Sequence, residues 1–268
     1  MVFRGALAAV LLITHVSSVC SEPSLSQRAQ AVAALPNWSG VWEIDNGTHR
    51  GLSGRTAGGV AELRAKSALA AHPPYNAAWD ARYLAELNDH AAMAALAARS
   101  KSCTLGFPVV MESPRLFEIA ITPEVTFIIF DAQEARRIYT DGKAHPAKED
   151  LWPTGMGDSI GHWESDTLVV DTIARIAGPI GFLAPVSRLS EQAHFVERIR
   201  MVNSQQLVDE LTIEDPVALA RPWRITLRYR RVTGMDRIRN FDCGENDRNP
   251  VVDGKLTVTP AEGGVSGH

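Results

Sequence analysis

The chain has 268 residues, 45% of them hydrophobic and 22% charged, with 27 lysines and arginines against 31 acids and a net charge of −4. Acids and bases are interspersed, so no basic stripe points to nucleic acid and no polybasic segment to an anionic membrane; a small-molecule partner fits better than a polyanion. Beyond the first residues nothing approaches a run of about 18 apolar residues, which excludes a membrane-spanning helix.

The first predicted element is a secretory signal peptide over residues 1–21. In "MVFRGALAAVLLITHVSSVCSEPS", Arg4 precedes an apolar run from Ala6 to Ile13, and small residues follow around Val16 to Ser21. The mature protein is therefore expected outside the cytoplasm, periplasmic or extracellular. Cys20 lies in the cleavage zone, but Ser18 and Val19 depart from the small-residue pattern of a lipid-anchored cysteine, and lipidation stays open. After cleavage two cysteines remain, Cys103 and Cys243. An oxidising compartment favours one disulfide between them; two separate buried thiols are the alternative.

A single domain is expected over residues 36–250. It begins with a strand in "LPNWSGVWEID", carrying Trp38, Val41 and Trp42. Residues 57–101 are rich in Ala, Leu, Glu, Arg and Lys, and Pro73-Pro74 splits this insertion into two helices. After Cys103 the period changes to two. "LFEIAIT" puts Phe117, Ile119 and Ile121 on one side, Pro123-Glu124 turns the chain, "VTFIIFD" returns, and "ARRIYTDG" ends in the turn dipeptide Asp141-Gly142. "SIGHWES", "TLVVDTIAR", "AHFVERIRMV", "QLVDELTIED", "WRITLRYRRV" and "DRIRNFDC" continue the series. The fold class is mainly β, a lipocalin-like antiparallel barrel of eight to ten strands with a helical insertion after the first. Closure is favoured over a sandwich because it removes exposed edges. The Gly-rich tail at 260–268 is expected to be disordered.

Within "GDSIGHWESDTLVVDT", Gly157, Ser159 and Gly161 form a Gly-x-Ser-x-Gly. A serine elbow needs a helix directly after the serine. Here Glu-Ser-Asp reads as a hairpin turn and the following Thr-Leu-Val-Val as a strand, so the motif is read as two strands meeting, with Ser159 as a nucleophile held in reserve.

The segments "RRIYTDGKAHP" (136–146), "GDSIGHWESDTLVVDT" (157–172), "VERIR" (196–200), "LTIEDP" (211–216) and "CGENDRN" (243–249) resemble a group of exported bacterial proteins. The group's pattern runs Cys-x-Pro-x-Gly-x-Pro-Arg, Arg-Arg-Ile-Tyr-x-Asp-Gly-Arg-x-His-Pro, Ser-Ile-Gly-x-Trp-Glu-Gly-Asp-Thr-Leu-Val-Val-Asp-Thr and a late Cys-x-Glu-Asn. The likeness covers roughly Pro36 to Asn249 and implies an exported, lipocalin-like barrel without implying an activity. Cys103-Thr-Leu-Gly-Phe-Pro-Val-Val lacks the usual proline and arginine, Lys143 and Ser165 replace Arg and Gly, and the slot of His162 is loosely filled in the group.

Candidate chemistry follows from strand faces. Phe195, Glu197, Ile199 and Met201 share one face, so Glu197 is either a buried acid–base group or half of a salt bridge to Arg137 or another inward arginine. Arg137, Tyr139 and Asp141 share a face, where a guanidinium and a phenol pointing inward would bind an oxyanion or carboxylate, or serve as structural hydrogen bonds. His145 follows the turn, where it would overhang the barrel mouth and move protons, or else pack as an ordinary ring. His162, Trp163 and Asp171 are candidate ligand contacts. His162 and Glu164 share a face, but no third ligand of zinc-site type accompanies them, so no metal is expected. Nucleotide, nicotinamide and haem motifs are missing from the sequence, and no cofactor is expected. The leading expectation is a lyase, isomerase or hydratase acting on a small hydrophobic or aromatic molecule inside the barrel, with His145 or Glu197 moving the proton, Tyr139 assisting and Arg137 holding negative charge. A non-catalytic binding protein is the second reading and a serine hydrolase using Ser159 the third. Oligomeric state is not legible.

Overall fold

From Trp223 to Arg231 the side chains of Trp223, Ile225, Leu227 and Tyr229 are buried, while Arg224, Thr226 and Arg228 between them are exposed. This two-residue period is that of a strand with one wet face, and it recurs along the chain. The computed structural model describes residues 23–45, 69, 71–89, 106–113, 116–131, 134–179, 187–238, 251–252 and 255–256. The signal peptide, Cys20, Cys103, Cys243 and the 260–268 tail lie outside the described residues.

The strands are β1 (Val41–Ile44), β2 (Phe117–Ile121), β3 (Val125–Phe130), β4 (Arg136–Tyr139), β5 (Asp158–Glu164), β6 (Thr167–Ile173), β7 (Gly178–Pro179), β8 (Arg188–Leu189), β9 (His194–Asn203), β10 (Gln206–Glu214) and β11 (Trp223–Arg231). Nine of them close a barrel in the order β1-β11-β10-β9-β6-β5-β4-β3-β2, with β1 also pairing β2. The mainly β barrel read from the sequence is therefore the fold. β7 pairs only with β8, and β12 (Val251–Val252) only with β13 (Lys255–Leu256). Of the last expected strand, "DRIRNFDC", Asp236 and Arg237 form a bend, Ile238 is irregular, and the rest lies outside the described residues.

One junction departs from the antiparallel expectation. β4 and β5 run parallel and share a single register pair, Tyr139 with Ile160. A parallel pair needs a long crossover rather than a hairpin, and residues 140–157 supply it, carrying His145 and a short 3-10 turn at Lys148–Asp150. The next connection is the hairpin expected at Glu164–Thr167, with Ser165 in the left-handed region at φ 58°. That conformation favours glycine, the residue that the resembling group carries there.

Among the described residues three helices accompany the barrel. α1 (Leu25–Ala33) was not anticipated; Ser24 and Gln27 form its capping box. α2 (Ala77–Asn88) follows Pro73-Pro74 in the insertion, capped by the Asn76 side chain on the Trp79 amide, and residues 57–68, where the first helix was expected, lie outside the described residues. The Tyr75 hydroxyl anchors its start by accepting from the Arg188 amide and donating to the Arg188 carbonyl, both at 2.7 Å. α3 (Val109–Glu112) belongs to a segment that closes the barrel end where β4, β5 and β9 begin. Its approach requires glycines: the Phe107 amide donates to the Gly155 carbonyl at 2.9 Å, and a Cβ on Gly106 would lie 2.5 Å from that same oxygen. Phe107, Val110 and Met111 are at most 2% exposed and join the core cluster.

Candidate functional site

The barrel interior is packed solid. The cavity between Trp38, Met111, Phe117, Ile128, Leu207 and Tyr229 measures about 10 Å³, room for no more than about one water molecule. Among the described residues the expected hollow for a small hydrophobic ligand is filled: Phe107 and Met111 enter from one end and large side chains from facing strands occupy the rest.

β4 faces the opposite way from the expectation for Arg137 and Tyr139. Arg136 and Ile138 are fully buried, whereas the Arg137 side chain is half exposed, 3.7 Å from Glu134, and Tyr139 is 42% exposed. The β3 register explains this. Ile138 lies opposite Thr126 and Arg136 opposite Ile128, both inward residues, and the alternation turns Arg137 and Tyr139 to solvent. Asp141 also stays outside the barrel, bonded by the Lys143 amine at 2.7 Å, which holds its carboxyl below the usual range.

Glu197 does face inward, and its partner is Arg136. The guanidinium donates through Nη1 to Oε1 at 2.8 Å and through Nη2 to Oε2 at 2.5 Å. Nη2 also reaches Thr172 Oγ1 at 3.0 Å and Ser159 Oγ at 3.4 Å, and the cation lies 3.9 Å from the centre of the Phe107 ring. The salt-bridge alternative for Glu197 thus holds, with the neighbouring arginine in place of Arg137. Ser159 is 3% exposed, and its partners are Thr172 and Arg136 rather than a histidine. With no solvent path and no adjacent base it has no place for nucleophilic attack. Trp163 packs against the core, edge-on to Trp38 at 5.3 Å.

Asp209 completes the interior group. Burial first, and then the Glu197 charge, push its carboxyl well above the usual carboxylate range despite the opposing pull of Arg136. Neither of its oxygens meets an N–H or O–H donor, so contact with Glu197 becomes a hydrogen bond only when one of the two carboxyls carries a proton. Burial, followed by Asp209 and Glu197, raises the Tyr229 phenol well above its ordinary value in the same way. A neutral Asp209 leaves one cation and one anion in the barrel, the charge-balanced arrangement that a dry interior favours.

A different set of side chains converges on the outer face of the same strands. His145 reaches back from the crossover, its Nδ1 2.5 Å from Asp158 Oδ1 on β5 and its Nε2 3.3 Å from Asp171 Oδ1 on β6. His194 Nε2, on β9, meets the same Asp171 oxygen at 2.9 Å, and its Nδ1 lies 3.8 Å from Glu214 Oε2 on β10. Carboxylate and imidazole alternate through five residues on four strands and the crossover. The register produces this: Ile160 and Val196 flank Asp171, His194 pairs with Glu214, and Asp158 and His194 fall diagonally beside Asp171. Exposure along the chain runs from 15% at the His145 side chain to 54% at Glu214.

Beside this chain, between the crossover and the outer faces of β5, β6 and β9, lies a groove of about 280 Å³. Ile160, Val169 and Val196 give it an apolar floor, and Lys143, His162 and Asp171 stand at its border. Asp171 is the member of the carboxylate–imidazole chain that lines the groove; its Oδ1 is taken by both histidines, and among the described residues no hydrogen bond is made to Oδ2. His162 is 65% exposed and 3.3 Å from Glu164. Glu164 is held below the usual carboxylate range, chiefly by Arg198 and secondarily by His162.

His145, His162 and Asp171 therefore come together on the outside, while Glu197 is sealed within and Arg137 and Tyr139 stand apart. The sequence reading missed Asp158, His194 and Glu214. Their signal was a polar residue at an outward position of an otherwise apolar strand, which becomes informative only once the pairing is known. Among the described residues no group of three or more His, Cys, Asp or Glu is arranged to hold a metal ion, and no helix is long and apolar enough to cross a membrane. No protein-family model matches the chain, and no curated protein is significantly similar to it.

Proposed function

We propose that the protein is an acid–base enzyme of the lyase, isomerase or hydratase type, acting on a small molecule with an apolar body held in the outer groove rather than inside the barrel. The single observation that carries this reading is the position of Asp171, which borders a groove with an apolar floor while two histidines share its Oδ1. In this role Oδ2 takes a proton from the bound molecule, and His145 and His194 offset the change in charge through Oδ1. Asp158 and Glu214 orient the two imidazoles, as the third group does in other acid–base arrays. Ile160, Val169 and Val196 bind the apolar body, and His162 and Lys143 border the polar end.

The leader-like residues 1–21 and the resemblance to exported bacterial proteins support a location outside the cytoplasm, where a Cys103–Cys243 disulfide would persist.

A second reading, capture without chemistry, is favoured by the aliphatic floor and by a groove near the small end of ligand sites. Mass spectrometry of small molecules co-purifying with the protein, followed by a metabolite panel, separates the two. The enzyme changes the mass or double-bond position of its ligand, and Asp171→Asn slows that change about 100-fold or more. A ligand recovered unaltered supports capture, and turnover unchanged by both Asp171→Asn and His145→Ala overturns the enzymatic assignment.

A further inference from the structure

The interior network and the outer chain are built on opposite faces of the same two strands. Ser159 follows Asp158 on β5, and Thr172 follows Asp171 on β6. Ser159 and Thr172 are cross-strand partners, at most 3% exposed, with their hydroxyl oxygens 2.8 Å apart. Arg136 Nη2 reaches both, and Glu197 fixes that guanidinium from the opposite side. On the outside, His145 must meet two carboxylates at once, one at 2.5 Å and one already at 3.3 Å. A further displacement of a few tenths of an ångström takes the longer contact out of hydrogen-bonding range, about 3.5 Å.

We propose that Thr172 and Ser159 are positioning residues for the outer site: by tying β5 to β6 through their hydroxyls and Arg136, they set the separation of Asp158 and Asp171 that His145 spans. As an interpretation of catalysis this rests on the assignment of Asp171 above; as a statement about coupling between the two faces it does not. The mechanism is mechanical. Consecutive residues on a strand point to opposite faces and share a peptide plane, so a clamp on the inner side chain limits how far its outer neighbour drifts. A site built on strands and supported by buried hydrogen bonds keeps its geometry within the tolerance that proton transfer needs. The other ionisable groups around His145 and His194 are His162 on β5, Glu214 on β10, and Lys143 with Asp141 on the crossover.

The test is NMR of the histidine side chains in the full chain. Thr172→Val keeps the shape and removes the hydroxyl. The expected result is a displaced His145 Nε2 resonance, as weakening of its 3.3 Å contact with Asp171 requires. The ring resonances of His72, which lies beside α2 and bonds Asp80, stay in place. Thr172→Ser restores the wild-type spectrum. A His145 Nε2 resonance that matches the wild type in Thr172→Val, or that Thr172→Ser fails to restore, overturns the proposal. If Thr172→Val does not fold, Ser159→Ala, which deletes the 2.8 Å hydroxyl contact, is read by the same criteria. Turnover unchanged by both Asp171→Asn and His145→Ala sinks the enzymatic reading and leaves this NMR result intact, so the two are told apart.

Discussion

The two faces of the β5–β6–β9 wall carry similar side chains in opposite circumstances. Inside, Arg136, Glu197 and Asp209 are sealed by Phe107 and the core, and the cavity beside Met111 and Tyr229 measures about 10 Å³. Outside, Asp158, His145, Asp171 and His194 stand between buried and exposed and Glu214 is exposed, beside about 280 Å³ of open groove. Burial alone therefore does not mark a functional acid. Glu197 and Asp209 have perturbed surroundings but no route for a substrate, whereas Asp171 has an apolar floor beside it and two proton partners behind it.

The comparison breaks most visibly at the interior pair. Glu197→Ala leaves Arg136 as an unpaired buried cation, and chemical denaturation should register a loss of about 3–5 kcal/mol. The double replacement Arg136→Met with Glu197→Leu should recover most of that loss; failure to recover would mean that the pair does more than neutralise itself. At the outer site the split runs the other way. Asp171→Asn is expected to cost about 100-fold or more in turnover, while its melting temperature stays close to the wild type. A large loss of stability there would show that the outer chain holds the fold together as well.

Asp209 sharpens the contrast through pH. Its carboxyl is raised in the folded state, so between the ordinary carboxylate value and the raised one the folded protein binds more protons than the unfolded chain. Stability from this group is complete at acid pH and falls as pH rises. Asp209→Asn, which mimics the neutral acid, should therefore melt higher than the wild type at pH 7 and 8, with the gap closing toward pH 4. An equal gap at all pH values would place the effect elsewhere. Ser165→Gly relieves the left-handed residue of the β5–β6 hairpin and should stabilise by about 0.5–1 kcal/mol without touching either cluster. The smallest effect is expected at the exposed Glu164–Arg198 pair, 2.7 Å apart. Glu164→Gln should leave the melting temperature unchanged within error, because solvent screens both partners.

Much of the strand pattern could be read directly. The hairpin between His162 and Thr172 followed from Glu-Ser-Asp and the β-branched run after it. The shared face of Phe195, Glu197 and Ile199 followed from alternation, and so did a salt bridge for Glu197. The identity of its partner did not. Arg136 and Arg137 are adjacent and chemically identical, and the choice between them depends on which one the β3 register turns inward. The filled interior was equally illegible, because Phe107 and Met111 reach the core by long-range docking against Gly155 and Phe195. Of the outer chain, His145 and Asp171 were singled out as separate candidates, while His194 and Asp158 went unnoticed because their relation to Asp171 is diagonal across strand pairs.

By itself, then, the sequence determined that the chain forms a β-barrel, where its hairpins turn and which residues alternate along each strand, since these depend on neighbours within a few positions. Only the tertiary structure decided which arginine neutralises Glu197, whether the barrel is hollow, and that His145, Asp171 and His194 meet. Those outcomes depend on strand register and on the docking of a distant segment, and a one-residue change in register would exchange the inner face for the outer.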